Sequence, residues 1–354
     1  MLMHGIFPPI TTPFYPDGRV YHKKLEANVE RYSKTPVAGL VVLGSTGESI
    51  LQSDEERREV LRTARGAATA EKILVAGTGI ESAIETLRLT EFAATLGYDV
   101  AMVRTPHYYK SQMTPAATLA FYRTVADRSP LPVVIYNFPQ ATGYDIPAEV
   151  VIALAEHPNL IAIKESSGKV EKVKRMVEGT RHVRRAATVT EVFAAVTGRM
   201  LAAPAAGAPD SSVVSAEVLA GRAGKTAAAV QSPPAWKTRT KEVGFQVLVG
   251  AAETLAPSLD AGAVGAIVAF ADAAPTACYE VYAAWKEGDK ELAAEKQARM
   301  AEAARKIVSE FSVPGVKYAM DLNGYYGGPA RLPLLGPTAE VKAEIERLMA
   351  NIRN

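Results

Sequence analysis

The sequence of 354 residues contains a single cysteine, Cys278, and only five histidines. One cysteine excludes an internal disulfide framework and any cysteine-rich zinc site. The histidines are scattered along the chain, and no two stand at the spacing of a helical metal-binding pair, so we expect no bound metal. Nothing in these counts suggests secretion.

The sequence also lacks a charge excess and a long hydrophobic run. Its 40 basic and 38 acidic residues leave a net charge of +2, which does not favour nucleic acid or an anionic membrane as a partner. The longest apolar stretch in a strand-like pattern, residues 261–271, is about half the length of a membrane-spanning helix. The N-terminus shows neither a signal peptide nor a presequence pattern. We therefore expect a cytoplasmic protein that binds small molecules.

Short runs of β-branched residues alternate with longer helix-period segments, a pattern typical of βα units and parallel sheets. The eight predicted strands are residues 5–12, 39–44, 73–78, 99–106, 132–137, 160–166, 245–250 and 263–270. Eight such strands predict an α/β fold, a (β/α)₈ TIM barrel over residues 1–274. A doubly wound open sheet is the alternative, although no Gly-x-Gly-x-x-Gly turn follows the first strand. Residues 275–354 predict a C-terminal helical subdomain.

Residues 182–242 interrupt the pattern, because they separate the sixth and seventh predicted strands by roughly eighty residues and are rich in Ala, Arg, Gly, Pro and Ser. The simplest interpretation is a partly disordered surface insertion. A lid or an oligomer contact is a second interpretation, and translated noncoding sequence is a third.

The carboxyl ends of barrel strands face the active site, so polar residues at these ends are the first candidates for chemistry. The sixth predicted strand ends at Lys164. Burial would favour its neutral amine, which is a nucleophile able to condense with a ketone. A strand-end lysine also commonly extends to solvent, and this interpretation stays open at this point.

Two further strand ends carry polar groups. The fifth predicted strand ends in Tyr136, whose hydroxyl is suited to proton transfer, although a buried core tyrosine is the commoner explanation of this position taken alone. The second runs into the sequence GSTGE at 44–48, where glycines let backbone N–H groups converge on an anion. This loop lacks the lysine and spacing of a phosphate-binding loop, so it suits a carboxylate better than a nucleotide, and a simple tight turn is the alternative.

Four motifs occur in order: GSTGE at 44–48, PHYY at 106–109, YNFP at 136–139 and IKESSG at 163–168. Together they resemble the dihydrodipicolinate synthase/N-acetylneuraminate lyase superfamily of pyruvate-dependent class I aldolases. The resemblance spans residues 1–181 and 243–350. It implies the barrel with its helical subdomain, a homotetramer, and a lysine that forms a Schiff base with pyruvate without another cofactor.

The resemblance also implies roles for individual residues. Lys164 matches the Schiff-base lysine, and Tyr136 matches the proton-shuttling tyrosine. Thr46 matches the hydroxyl beside that tyrosine, and Tyr108 matches a tyrosine that a neighbouring subunit contributes. The implied substrate-binding residues are Ser45, Thr46, Gly47, Ser166, Gly250 and Ile267.

The implied substrates are pyruvate and an aldehyde, and the aldehyde depends on a few positions. Ala141 stands where dihydrodipicolinate synthases carry an arginine that binds the second substrate, which counts against lysine biosynthesis. The segment at 313–334 most resembles 4-hydroxy-2-oxoglutarate aldolases, so cleavage of that compound to pyruvate and glyoxylate is the first hypothesis. The alternatives are a 2-keto-3-deoxy sugar-acid aldolase, 4-hydroxy-tetrahydrodipicolinate synthase, or a non-catalytic binding protein.

Overall fold

The computed structural model describes residues 1–202 and 236–352. These residues form ten strands: β1 (Gly5–Phe7), β2 (Gly39–Val42), β3 (Ile73–Gly77), β4 (Val100–Arg104), β5 (Val133–Asn137), β6 (Leu160–Glu165), β7 (Arg185–Thr190), β8 (Thr238–Val243), β9 (Gln246–Val249) and β10 (Gly265–Ile267). Eight of them match the eight predicted strands. The first and last are shorter than expected because the chain turns away from the sheet after Phe7 and Ile267.

The eight matching strands are all parallel and lie in the order β1-β10-β9-β6-β5-β4-β3-β2. Backbone hydrogen bonds from Ala38 N to Ile6 O (2.9 Å) and from Val41 N to Pro8 O (3.0 Å) join β2 to β1 and close the barrel. The predicted (β/α)₈ barrel is confirmed, and the open doubly wound sheet is excluded.

Helices follow most of the strands and cover the outside of the barrel. They are α1 (His22–Ser33), α2 (Asp54–Ala67), α3 (Ala83–Thr95), α4 (Pro115–Arg128), α5 (Pro139–Thr142), α6 (Ala148–Ala155), α7 (Val170–Gly179), α8 (Gly198–Ala202), α9 (Leu255–Asp260) and α10 (Phe270–Ala273). A capping box of Ser53 and Glu56 opens α2, and the Thr114 side chain caps α4 ahead of Pro115. Both satisfy N–H groups that have no partner inside the helix.

After the barrel, the described chain continues as the helical subdomain: α11 (Pro275–Lys286), α12 (Lys290–Arg305), α13 (Ser312–Leu322) and α14 (Ala339–Met349), with a π-helical segment at Lys306–Glu310. Helix α13 contains Pro314 and Gly315, residues that usually interrupt helices. Pro314 lies in the first turn, where its missing N–H group has no intrahelical partner in any case.

The strands alternate between two apolar regions. Val134, Tyr136, Ala162 and Leu248 belong to the cluster inside the barrel. Ile135, Ile163 and other alternate residues pack outward against the helices. Because successive side chains in a strand point to opposite faces, this alternation also fixes which polar residues at the strand ends face the barrel axis.

The region of the predicted insertion contains an antiparallel ladder of β7 and β8, with Arg185 opposite Val243 and Thr190 opposite Thr238. Its inner face packs Ala187, Val189 and Val243 against Leu2. Arg185 donates to the carbonyl of Leu160 at 2.7 Å, at the start of β6. These parts of the insertion therefore lie at the amino ends of the strands, and the lid interpretation is wrong for them. Residues 203–235 of the insertion lie outside the described residues.

No helix in the described ranges, 1–202 and 236–352, is both long enough and apolar enough to span a membrane.

Candidate active site

Lys164 lies at the carboxyl end of β6 and points into the barrel. Its position follows from register, because Lys164 pairs with Tyr136 on β5 and with Leu248 on β9, and both of these side chains belong to the interior cluster. Only 4% of Lys164 is exposed, and its Nζ lies 4.1 Å from the centroid of the Tyr136 ring. The open interpretation of a lysine that extends to solvent is therefore wrong.

The Tyr136 hydroxyl meets the loop after β2. It shares a hydrogen bond of 3.3 Å with the hydroxyl of Ser45, and the Tyr136 ring stacks against Phe138 at 5.9 Å between centroids. Thr46 was the predicted hydroxyl beside the tyrosine. The structure corrects this assignment to Ser45, because one residue of difference in a tight loop turns the side chain in another direction.

Ser166 and Gly250 form the wall opposite this loop. A Cβ atom added at Gly250 would lie 1.8 Å from Ser166 Oγ, so only glycine permits this close approach. The Gly250 N–H donates to the Glu165 carbonyl at 2.7 Å, which ties the loop after β9 to the end of β6. Ser166 Oγ is buried and has no hydrogen-bond partner within the described chain, which leaves it available to a ligand.

These side chains open into a cavity of about 480 Å³ at the carboxyl end of the barrel. Its lining includes six of the predicted site residues: Ser45, Thr46, Tyr136, Lys164, Ser166 and Gly250. The structure thus brings together residues that the sequence places up to two hundred positions apart.

Three predicted site residues do not line this cavity. Ile267 is fully buried among the apolar side chains inside the barrel. The Gly47 N–H is already bonded to the Gly44 carbonyl at 3.1 Å, and the Gly47 carbonyl accepts from Thr12 and Gln52. Tyr108 is 75% exposed, and its N–H donates to Glu81 at 3.0 Å.

A buried polar network behind Lys164, on the outer side of the strands, fixes β5 against β6. The Asn137 amide donates to both oxygens of Glu165 at 3.0 Å, and Lys172 on α7 forms an ion pair of 3.0 Å with the same carboxylate. Asn137 and Lys172 also bind Asp145. Partial burial acts to raise the pKa of Asp145. The hydrogen bonds from Lys172 and then from Asn137 outweigh this effect, so the pKa of Asp145 is lowered. Such fully paired networks hold strand ends rigidly.

A second buried ion pair joins the GSTGE loop to the helical subdomain. Lys317 on α13 and Glu48 are both 1% exposed and lie 2.5 Å apart, and Lys317 also donates to the Thr12 carbonyl at 2.9 Å. Burial lowers the pKa of Lys317, although Glu48 opposes the shift. Glu48 adopts a left-handed φ of 53°. This pair positions the loop that carries Ser45.

Several residues in and around the cavity were not predicted from the sequence. Phe138 and Glu253 line the cavity, and Glu253 had a detectable signal because it follows the end of a predicted strand by a few residues. Asp272 is fully buried, and neither of its carboxyl oxygens has a partner within the described chain. Burial raises the pKa of Asp272 well above its ordinary value, although Lys164 opposes the shift. No sequence pattern indicated that environment.

The described residues contain no group of three or more His, Cys, Asp or Glu side chains that could hold a metal ion. The chemistry of the cavity that can be read from its lining is instead that of an amine, hydroxyl groups and a carboxylate.

A parallel (β/α)₈ barrel with a buried lysine at a strand end, beside a tyrosine and a serine, defines a class of barrel enzymes. The sequence profile of the Dihydrodipicolinate synthetase family matches residues 2–226 and 225–352. The chain belongs to this family. Its members are pyruvate-dependent carbon–carbon lyases and synthases, which bind their substrate as a Schiff base on a lysine and use no metal or cofactor.

Individual relatives agree with this placement. The chain is 29% identical over 351 residues to a 4-hydroxy-tetrahydrodipicolinate synthase of Methanothrix thermoacetophila, covering 99% of this chain and 97% of the relative. It is 40% identical over 177 residues to the enzyme of that name from Xanthomonas campestris pv. campestris, covering 50% and 58% of the two chains.

Among solved structures, the fold is similar to YagE, a prophage protein of the dihydrodipicolinic acid synthase family from E. coli in complex with pyruvate. That similarity has a TM-score of 0.76 at 25% identity and covers 99% of both chains. The dihydrodipicolinate synthase DapA-2 of Bacillus anthracis matches with a TM-score of 0.77 at 21% identity over 99% of both chains, which supports the fold alone.

Proposed function

We propose that this chain is a class I aldolase that reversibly cleaves a 4-hydroxy-2-oxo acid to pyruvate and an aldehyde through a Schiff base on Lys164. The observation that carries the proposal is the placement of the Lys164 amine. It is almost completely buried, opens into the cavity at the carboxyl end of the barrel and lies against the ring of Tyr136.

The reaction follows from the groups in the cavity. The neutral Lys164 amine adds to the ketone carbon of pyruvate, and loss of water leaves an iminium. The iminium draws electrons from the neighbouring methyl carbon, which loses a proton and becomes an enamine. The enamine carbon then bonds to the aldehyde carbonyl carbon, whose oxygen takes up a proton. Water then adds to the iminium carbon, and the carbon–nitrogen bond breaks to release the oxo acid and restore the amine. Cleavage is the reverse of these steps.

Proton transfer is proposed for the Tyr136 and Ser45 pair. The Tyr136 hydroxyl is within hydrogen-bonding distance of Ser45, and the Tyr136 ring lies against the amine. The hydroxyl can therefore deliver a proton to the hydroxyl that leaves as water and return it. Ser45 is the relay in this proposal, in place of Thr46.

The pyruvyl carboxylate is proposed to bind at the loop after β2. Within the described chain, the N–H groups of Ser45 and Thr46 have no backbone partner, whereas that of Gly47 is already bonded to Gly44. We therefore assign the carboxylate to the Ser45 and Thr46 N–H groups and the Thr46 hydroxyl, and we withdraw Gly47 as a direct contact. Ser166 faces the same space.

Three substrates are candidates within this reaction class. The resemblance of residues 313–334 supports 4-hydroxy-2-oxoglutarate. The names of the curated relatives support 4-hydroxy-tetrahydrodipicolinate synthesis, whereas Ala141 in the cavity lining offers no charged group to a second substrate. A 2-keto-3-deoxy sugar acid is the third candidate.

The test is to incubate the protein with pyruvate, reduce it with borohydride, and locate the adduct by intact-mass analysis and peptide mapping. A single reduced pyruvyl adduct on Lys164 supports the proposal, and Lys164→Ala should lose both the adduct and turnover while its circular dichroism is unchanged. A folded wild-type protein that forms no adduct would contradict the proposal and favour a non-catalytic binding protein.

A further inference from the structure

Helix α13 contacts two parts of the candidate active site. Its first turns line the cavity through Ser312 and Val316. The next residue, Lys317, lies outside the cavity lining and forms the buried ion pair with Glu48. The helical subdomain therefore adjoins both the space for a substrate and the loop after β2 that carries Ser45.

The loop after β2 begins and ends in a left-handed backbone conformation. Leu43 has a φ of 64° and Glu48 a φ of 53°. Such conformations cost free energy in residues other than glycine, and they persist only where surrounding contacts enforce them. At the first end Gly77 makes room, since a Cβ atom there would lie 2.2 Å from the Leu43 carbonyl oxygen. At the second end, Lys317 and the N–H group of Arg331 hold the Glu48 carboxylate.

Two series of contacts join Lys317 to the backbone of this loop. In the first, Lys317 lies 2.5 Å from the Glu48 carboxylate, and the Glu48 N–H donates to the Ser45 carbonyl at 3.0 Å. In the second, Lys317 donates to the Thr12 carbonyl at 2.9 Å, and the Thr12 hydroxyl donates to the Gly47 carbonyl at 2.7 Å. Thr12, Glu48 and Lys317 are each 1% exposed. Buried polar networks of this kind rigidify the backbone that they bind.

Stability alone does not account for a buried ion pair at this position. Removing two charges from water costs free energy, and apolar side chains of similar volume often stabilise a fold equally well. Apolar surroundings are available, because the Phe14 ring centroid lies 4.5 Å from Lys317 Nζ. An ion pair also fixes a distance and a direction, and the Ser45 hydroxyl needs both to meet Tyr136 at 3.3 Å.

We infer that Lys317 is a positioning residue for proton transfer in the candidate active site. It acts through Glu48, whose fixed backbone holds the Ser45 hydroxyl against the hydroxyl of Tyr136. Lys317 does not touch the reacting atoms, and no bond to it forms or breaks. The inference rests on the proposed function, in which Tyr136 and Ser45 exchange the proton. It adds that the helical subdomain, and not the barrel alone, determines the rate of that transfer.

The test is a double-mutant cycle on the rate of Schiff-base formation with pyruvate, measured by borohydride quenching at successive times and intact-mass analysis. Lys317→Met should lower this rate about tenfold in the wild-type background, because Ser45 no longer meets Tyr136. In the Ser45→Ala background, the same change should lower it less than about twofold, since the proton partner is already absent. A merely structural role would lower the rate by the same factor in both backgrounds.

Arg199→Met is the matched control. Arg199 and Asp99 form another buried ion pair, of 3.3 Å with side chains 6% and 4% exposed, at the amino end of the barrel. This variant should lose stability as Lys317→Met does, yet keep the wild-type rate when both are assayed below their unfolding transitions. If Lys317→Met does not fold, Glu48→Gln breaks the same ion pair with a smaller change of shape and replaces it in the cycle.

A crystal structure of Lys317→Met tests the geometry without any assay of activity. The hydroxyl oxygens of Ser45 and Tyr136 should lie beyond hydrogen-bonding distance. A retained contact between them, equal rate losses in both backgrounds, or an equal loss in Arg199→Met would overturn the inference. A wild-type protein that forms no adduct would contradict the proposed function, and the crystal structure would still decide whether Lys317 positions Ser45.

Discussion

A hydrogen bond of 3.3 Å joins the hydroxyl groups of Ser45 and Tyr136, which are 91 positions apart in the chain. It links the loop after β2 to the end of β5, where the Tyr136 ring lies against the buried amine of Lys164. The Tyr136 hydroxyl therefore has a partner for proton exchange, the Ser45 hydroxyl, and Tyr136 is not an isolated core residue.

Removal of the Tyr136 hydroxyl is therefore expected to slow turnover. Tyr136→Phe should lower kcat by roughly 10²–10⁴-fold, because proton transfer loses its positioned acid and base. Ser45→Ala should have a smaller effect in the same direction. The measurement is steady-state release of pyruvate from the 4-hydroxy-2-oxo acid. Tyr318→Phe, which loses only a hydroxyl bonded to Glu346 at the surface, should retain wild-type kcat, and an equal loss in both variants would refute the role.

The approach of Gly250 to Ser166 gives a steric prediction. Gly250→Ala places a methyl group against the Ser166 side chain, so the loop after β9 must move into the cavity. We expect kcat/KM to fall at least tenfold. Gly66→Ala on α2, where a Cβ would meet nothing within 4 Å, should keep full activity and stabilise the protein by about 0.5 kcal/mol. Unchanged kinetics in Gly250→Ala would show that the wall is not part of the site.

Tyr108 gives a prediction about assembly. Its side chain is 75% exposed and outside the cavity of its own chain, while Glu81 holds the backbone N–H groups of His107 and Tyr108 at 2.9 and 3.0 Å. If Tyr108 serves a neighbouring subunit, Tyr108→Phe and Lys164→Ala are inactive alone but partly active when unfolded and refolded together. Mixed assemblies then contain sites with Lys164 from one chain and Tyr108 from another.

The same refolding of each variant alone is the control, and light scattering measures the size of the assemblies. Absence of recovered activity in mixed assemblies, with both variants folded, would place Tyr108 outside the catalytic site.

The buried pair of Lys317 and Glu48 should be important for stability. Lys317→Met leaves the Glu48 carboxylate buried without its cation, which should cost about 3–5 kcal/mol of the free energy of unfolding. The double variant Lys317→Met/Glu48→Gln should recover part of this loss, as measured by urea unfolding. Glu85→Gln, which breaks an exposed pair with Arg88, should change stability by less than about 1 kcal/mol. If Lys317→Met and Glu85→Gln lowered the free energy of unfolding equally, the buried pair would not have the proposed importance for stability.

His4 gives a pH dependence. The pKa of His4 is lowered to about 4, mainly by burial and further by the nearby charges of Lys241 and Lys286. In the unfolded chain, a histidine has a pKa near ~6.5. Between these values the unfolded chain binds more protons, so stability is greatest above pH ~6.5 and falls as the pH approaches 4. We expect a loss of about 2 kcal/mol in this window, relative to His4→Gln. An identical pH profile of urea unfolding for both proteins would contradict the lowered pKa of His4.

The sequence determined much of this result. The eight barrel strands follow from apolar runs of the right length, because strands covered on both faces need no polar alternation. The caps at Ser53 and Thr114 follow from local hydrogen bonding. Lys164 and Tyr136 were identifiable because each ends such a run, and the carboxyl ends of parallel strands converge at one end of a barrel.

Tertiary structure decided the rest. Whether Ser45 or Thr46 faces Tyr136 depends on the turn of one loop, and the pairing of β7 with β8 joins segments that the sequence pattern does not relate. Helix α13 forms across Pro314 because it packs in the subdomain and buries Lys317 against Glu48. The turn that brings Glu253 to the cavity wall is held by Gln297, from more than forty positions away. Local sequence patterns indicate the chemistry available to each residue. Only the folded chain determines which side chains come into contact, because distances in space cannot be calculated from the spacing of residues in the sequence.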